Sequence, residues 1–414
     1  MQLIKNEKII DIMENTLNHM DARLMDHGKR VAYLMFKILE PLNKYNDKQM
    51  RDICVLAMLH DVGAYKTEEI DKLVIFETVD IWEHSIYGYL FLKYFSPLKN
   101  LAPAILFHHA ECSQISQLNP EHQFLAQLIS FCDRADIYVQ YKNNGNFNKY
   151  IEKYRDNKYR GDIVDMFLSS GIDIYSVYQG IDSDKTYNRI FRNTPLTDNE
   201  VTGYLEMIIF SIDFRSSQTV IHTVATICVA AYLAGLLGAD ENDMPKIRTG
   251  AMLHDIGKIG IPVNILESTE KLNDSDMKIM RTHVEITEKI LNGNVSDDII
   301  NIACRHHEKL DGSGYPRHLA ACDITPYDRI VAIADIFSAL SGRRNYKDAF
   351  SKEKITGILN DMSGRFLDPQ ITALAIEHFD EILEMIERES APVMENYNAI
   401  NEEFIQLKKE MMLT

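Results

Sequence analysis

Met252-Leu253-His254-Asp255-Ile256-Gly257 repeats an earlier stretch, Met58-Leu59-His60-Asp61-Val62-Gly63, 194 residues upstream. Around each hexapeptide the same groups recur in the same order. The first half runs His27, His60-Asp61, His84, His108-His109, Asp133; the second runs His222, His254-Asp255, His283, His306-His307, Asp335. Offsets between matching members stay between 194 and 202, and ten of the 14 histidines fall in these two sets. Chance clustering explains this poorly, whereas two related domains in tandem explain it directly.

The segments carrying these groups have helical periodicity. Residues 28–40, 84–95 and 121–141 place apolar residues three and four apart, and alternating strand-like runs are scarce. The fold class is therefore all-α, with two tandem helical-bundle domains at 1–190 and 195–390 and a helical tail at 391–414. Residues 142–200 are polar and tyrosine-rich, with a helix expected around 161–170. The boundary falls near Pro195, with Thr197 or Asp198 capping the first helix of the second domain. The charged, amphipathic tail reads as a solvated terminal helix; a dimerising helix, and so a homodimer, is the less favoured alternative.

The 414 residues carry a net charge of −17 with no arginine-rich run, which argues against a nucleic-acid polymer as partner. Six cysteines show no Cys-x-x-Cys pair and read as reduced thiols in a cytoplasmic protein. The longest apolar run, Val224 to Gly238, is shorter than a membrane span and reads as a buried helix, so no membrane partner is expected.

His306-His307-Glu308-Lys309-Leu310-Asp311-Gly312-Ser313-Gly314-Tyr315-Pro316 is the most unusual stretch. Adjacent histidines bring four ring nitrogens to be satisfied, and neighbours on a helix diverge by about 100° unless something draws both inward. A metal ion can do that. Two glycines and a proline then shape a loop. Histidines with aspartates on separate helices, and no thiolate, suit iron, manganese or zinc. Five histidines and two aspartates suffice for two ions bridged by a carboxylate. Two ions about 3.5–4 Å apart can clamp both the attacking and leaving oxygens of a phosphoester.

The His-Asp doublet within this ordered set resembles the HD superfamily of metal-dependent phosphohydrolases. The second half, with His254-Asp255-Ile256-Gly257-Lys258, His306-His307-Glu308, Gly314-Tyr315-Pro316 and Asp335, resembles its HD-GYP subfamily over roughly residues 200–380. That resemblance implies an enzyme with an iron or manganese centre that hydrolyses cyclic di-GMP or cyclic GMP-AMP to linear dinucleotide or on to mononucleotides. It makes Asp255 the bridging carboxylate, gives one ion His222, His254 and Asp335, and gives the other His283, His306 and His307. It places Lys258 beside the scissile phosphate, Arg344 and Lys347 on phosphate oxygens, and Tyr315 against a base.

Departures are informative. Gln218 stands where three-metal members carry a glutamate, so two divalent ions are expected in the second domain. The first half resembles only the broader superfamily: it lacks Gly-Tyr-Pro, Ala64 matches Lys258, and Lys142 and Gly145 match Arg344 and Lys347. Its set His27, His60, Asp61, His84, His108, His109 and Asp133 is nevertheless complete, so it is expected to bind metal and to act as a regulatory domain. The competing functions are a nucleotide-binding receptor with little turnover, and a hydrolase of other nucleotides through the first domain.

Overall fold

The computed structural model describes residues 4, 6–66, 82–115, 117–141, 146–214, 217–268, 270–342 and 350–412. Among them there is no β-strand; helices joined by short turns account for the regular structure. Two compact units form, one from Ile9–Ser211 joined by the chain from Ile400 onward, the other from Ile212–Ala399.

In the first unit the principal helices are α1 (His27–Leu39), α2 (Asp47–Met58), α3 (Glu83–Phe95), α4 (Ala102–Leu106), α5 (Pro120–Tyr141) and α6 (Asp198–Asp213). The second contains α7 (Ser217–Leu236), α8 (Asp243–Leu253), α9 (Asp274–Leu291), α10 (Asp297–Cys304) and α11 (Pro326–Ser341). The last helix is α12 (Phe379–Met412). The order α1–α5 is matched by α7–α11. α1 packs on α2 and α5, and correspondingly α7 packs on α8 and α11.

Local chemistry sets the helix starts. Asn46 and Gln49 form a reciprocal capping box at α2, and Thr325 with Asp328 does the same at α11, where Pro326 is preorganised for the first turn. At α6, Glu200 N–H donates to Thr197 Oγ1 at 3.2 Å, while Thr197 N–H donates to Glu200 Oε2 at 2.8 Å. The helix expected around 161–170 occupies Gly161–Ser170. α7 is mostly apolar beyond its first turns. Among the described residues, its Thr219–Leu236 stretch is the one helix long and apolar enough to cross a membrane, and 56% of it is buried inside the protein.

The tail read from residue 391 has no separate beginning, because α12 continues through Pro392. Its last turns are not simply solvated. Phe404 stacks on Tyr87 with ring centroids 4.1 Å apart, and Glu403 accepts from Lys93 Nζ at 2.6 Å. Both partners lie on α3, and apolar contact gives the end of α12 a place to dock.

The tightest backbone approach is shared by both units. A Cβ at Gly257 would lie 2.0 Å from the carbonyl oxygen of His283, and one at Gly63 would lie 2.1 Å from that of His84. Only glycine lets the turn after each His-Asp doublet rest on the helix bearing the next histidine. Gly257→Ala is expected to force α9 away from this turn and lower the stability of the second unit by about 1–3 kcal/mol. Denaturant unfolding of the full-length variant measures it; an unchanged midpoint would contradict the close approach.

Candidate metal centres

Each His-Asp doublet sits just past the end of a helix, where the chain leaves α2 or α8 and the side chains can turn inward. His283 projects from the middle of α9 and His84 from the start of α3. The His-His pairs come after the short helices α4 and α10, and Asp133 and Asp335 lie within α5 and α11.

In the second unit these groups converge. Asp255 Oδ2 lies 3.2 Å from His254 Nε2 and 3.7 Å from His222 Nε2, while Asp255 Oδ1 lies 3.5 Å from His283 Nε2. Its two oxygens therefore face different histidines. Asp335 Oδ1 lies 3.2 Å from His222 Nε2, and Asp335 Oδ2 lies 3.9 Å from His307 Nδ1. His222, His254 and Asp255 form one compact triad and His283, His306 and His307 another, each with donor atoms within 4.8 Å of one another.

The imidazoles are oriented from behind. Nδ1 of His254, His283 and His306 each lies 2.7 Å from the carbonyl oxygen three residues earlier, on Ala251, Met280 and Ala303 respectively. Nδ1–H donates to that carbonyl, which leaves Nε2 facing the cluster. His222 is held differently: its Nδ1 is 2.9 Å from Ser338 Oγ, and the Ser338 hydroxyl donates to Asp335 O at 2.9 Å.

Electrostatics fit a cation. Burial pulls His254 down, but the Asp255 and Asp335 charges outweigh it and raise its pKa to about 9. Burial raises the Asp255 carboxyl, yet His254 and Lys258 hold it well below the usual range. Burial, helped by His283 and opposed by the Asp335 charge, pushes His307 down to about 4, a neutral imidazole near neutral pH. His254 Nε2 is buried with no aligned hydrogen bond, and in the first unit the same holds for His60 Nε2, Asp61 Oδ1 and His108 Nε2. Buried polar atoms so rarely lack partners that such orphaned atoms within each cluster fit a metal ion.

Lys258 Nζ lies 2.5 Å from Asp255 Oδ2, with its side chain 21% exposed. Tyr315 packs its ring on His307 at 4.6 Å, with the Arg281 guanidinium 4.9 Å from the Tyr315 centroid. The loop between them is tied down. Buried Glu308 accepts from Arg317 N–H at 2.7 Å and Leu319 N–H at 3.0 Å. A Cβ on Gly314 would lie 2.5 Å from Glu308 Cα and Lys309 N. Arg344 and Lys347 lie outside the described residues, as do Lys142, Gly145 and the Gln218 side chain.

The first unit builds a parallel cluster. Asp61 Oδ2 faces His60 Nε2 at 3.4 Å and His27 Nε2 at 3.9 Å, while Asp61 Oδ1 faces His84 Nε2 at 3.5 Å and His108 Nε2 at 3.9 Å. Asp133 Oδ1 is 3.3 Å from His27 Nε2. Behind His27 stands a carboxylate: Asp136 Oδ2 is 2.7 Å from its Nδ1 and also takes Arg30. Burial lowers His27, but Asp133 and Asp136 together lift it to about 10.

Sequence reasoning missed the supporting groups. Asp136 and Ser338 each lie three residues after the closing aspartate, one helical turn along the same face, so the repeat pointed to them. Glu308, Arg134 and Asp213 also went unread. Burial lifts Asp213 to about 7, and it accepts from Thr223. Ser338→Ala removes the partner of His222 Nδ1 and is expected to weaken metal binding 10–100-fold with the fold intact. Isothermal titration with Mn²⁺ checks this.

Comparison with known proteins places part of the chain in a family. Residues 204–371 match the HD domain family. The 3'3'-cGAMP-specific phosphodiesterase 2 of Vibrio cholerae is 39% identical over 176 residues, 42% of this chain and 34% of that relative. The 3'3'-cGAMP-specific phosphodiesterase 1 of the same organism is 23% identical over 388 residues, 88% of this chain and 90% of the relative. The cyclic di-GMP phosphodiesterase response regulator RpfG of Xanthomonas campestris is 37% identical over 163 residues, covering 43% of its length. The chain thus spans 34% of the first and 43% of the third of these relatives. The crystal structure of a cyclic GMP-AMP specific phosphodiesterase of V. cholerae, V-cGAP3, aligns over 91% of this chain with a TM-score of 0.57 and 17% identity, a likeness of fold. Residues 204–371 thus carry an HD domain, and within it stands the Gly314-Tyr315-Pro316 stretch that resembles the HD-GYP signature.

Proposed function

We propose that this protein is a metal-dependent phosphodiesterase of cyclic dinucleotides, acting on 3'3'-cGAMP, cyclic di-GMP or both through the second unit. One observation carries the reading: the two oxygens of Asp255 face different histidines, and the partly exposed Lys258 reaches the same carboxylate. The relatives' names, cGAMP-specific and cyclic di-GMP phosphodiesterases, supply the substrate class.

His222, His254 and Asp335 would hold one ion and His283, His306 and His307 another, with Asp255 available to both; iron or manganese would suit this nitrogen and oxygen set. When bound, such ions polarise the phosphodiester and activate water for attack. The remaining work belongs to side chains. Lys258 brings a cation to the phosphate as charge builds on it, and can protonate the departing oxygen. Tyr315, braced between His307 and Arg281, offers a ring face to a base. Arg344 and Lys347 contribute further phosphate contacts, an arginine fork matching two phosphate oxygens. The six free cysteines suit a reducing, cytoplasmic setting.

The test is turnover of 3'3'-cGAMP and cyclic di-GMP by full-length protein purified anaerobically and loaded with Mn²⁺ or Fe²⁺. The wild type is expected to release linear dinucleotide. Asp255→Ala is expected to lose both activity and metal, since removing the shared carboxylate leaves two cations facing each other. Lys258→Ala is expected to keep its metal and lose roughly 10²–10³-fold in kcat. Metal-loaded wild type that cleaves neither substrate would sink the reading.

A further inference from the structure

A stack of planar groups leads outward from the second cluster. Tyr315 rests on His307, with ring centroids 4.6 Å apart and planes tilted by 30°. The Arg281 guanidinium lies over the Tyr315 ring, 4.9 Å from its centroid. Tyr315 belongs to the loop after the histidine pair, and Arg281 to α9, two residues before His283. Two elements that carry the candidate ligands thus also bring these side chains together.

Arg281 is exposed, and among the described residues it makes no hydrogen bond and no ion pair. Other arginines of this unit are engaged: Arg317 with Glu288, Arg305 with Asp328 and Arg329 with Asp368. A guanidinium held over a ring keeps its five N–H donors around its rim. The ring sets where the fork stands, and no carboxylate among the described residues neutralises it. The first unit lacks both parts. Two residues before His84 stands Trp82, and the His108-His109 pair runs into Ala110-Glu111-Cys112 without Gly-Tyr-Pro.

A ribose separates each base of a dinucleotide from its phosphate, so a phosphate at the cluster leaves a base beside it, where His307 gives way to Tyr315. A base seated on Tyr315 turns an edge to the Arg281 fork. Guanine presents two neighbouring acceptors on that edge, O6 and N7, which match two N–H donors. Adenine presents N7 beside an amino group, and a guanidinium that can only donate has no partner for the latter. We propose that Arg281 is a specificity-determining residue that reads the O6 and N7 edge of a guanine seated on Tyr315, so that the second unit takes cyclic dinucleotides with at least one guanine and discriminates against cyclic di-AMP. This rests on the reading of the second unit as a cyclic-dinucleotide phosphodiesterase.

The test compares cyclic di-GMP with cyclic di-AMP on the full-length protein, in wild type, Arg281→Ala and Arg281→Gln. Turnover is followed as kcat/KM in the Mn²⁺-loaded protein, and binding by isothermal titration with the bis-phosphorothioate analogues, which resist hydrolysis. Because Arg281 is exposed, both variants should keep wild-type circular dichroism and metal content. In each, the preference for the guanine ligand should fall roughly 10–100-fold, through weaker binding of cyclic di-GMP with cyclic di-AMP little changed. Equal weakening of both ligands would make Arg281 a general phosphate contact and overturn the proposal, as would an unchanged preference or a wild type that has none. A wild type that binds cyclic di-GMP selectively but cleaves neither ligand sinks the phosphodiesterase reading; the Arg281 assignment then stands or falls on whether the variants lose that selectivity. Binding of neither ligand overturns both.

Discussion

Everything at the two centres depends on how closely one turn of backbone lies against one helix. Gly257 sits on α9 at the level of His283, and Gly63 sits on α3 at the level of His84, with no room for a β-carbon. That contact brings a histidine from the middle of the domain to the far oxygen of an aspartate on a different element. Were the helix to stand off by the width of a methyl group, the aspartate would face histidines on one side only. The carbonyls three residues before His254, His283 and His306 then fix which nitrogen points inward. Packing sets the distance and hydrogen bonding sets the tautomer, so the cluster is organised before any ion arrives.

Much of this was legible in the sequence because duplication makes signals check one another. A lone His-Asp means little, but the same doublet in two copies, each followed by a histidine, a His-His pair and an aspartate, constrains both fold class and ligand set. The helical period carried the rest of the architecture. The supporting residues were less legible for a physical reason: Ser338 and Asp136 do the same work with different chemistry, one a hydroxyl and the other a carboxylate. Comparing the copies for identity passes over such a pair, and comparing them for position finds it. The end of α12 escaped for another reason. Its charged face is plain in the sequence, but its seat on Tyr87 and Lys93 depends on residues some 310 positions away.

The two copies show how one scaffold supports different electrostatics. Lys258 supplies a cation at the doublet of the second unit, where Ala64 supplies none in the first. Arg134 supplies one at the closing aspartate of the first unit, where Ile336 supplies none in the second. Each copy thus carries a cation at a position where the other has none. The Lys258 side chain is 21% exposed and reaches solvent, whereas Arg134 is 4% exposed and buried.

The loop after His307 has a consequence for how this protein could change. Glu308 ties the backbone at Arg317 and Leu319 to the residue next to the histidine pair, and Gly314 presses the same loop onto that backbone. Neither restraint uses the side chains at 317–322. Those side chains can therefore be exchanged with little strain passed to His306 and His307, because the mount and the surface it carries are separate parts. Single substitutions here can reshape the loop surface while leaving the histidine pair in place, which makes this short stretch the natural place for related chains to diverge.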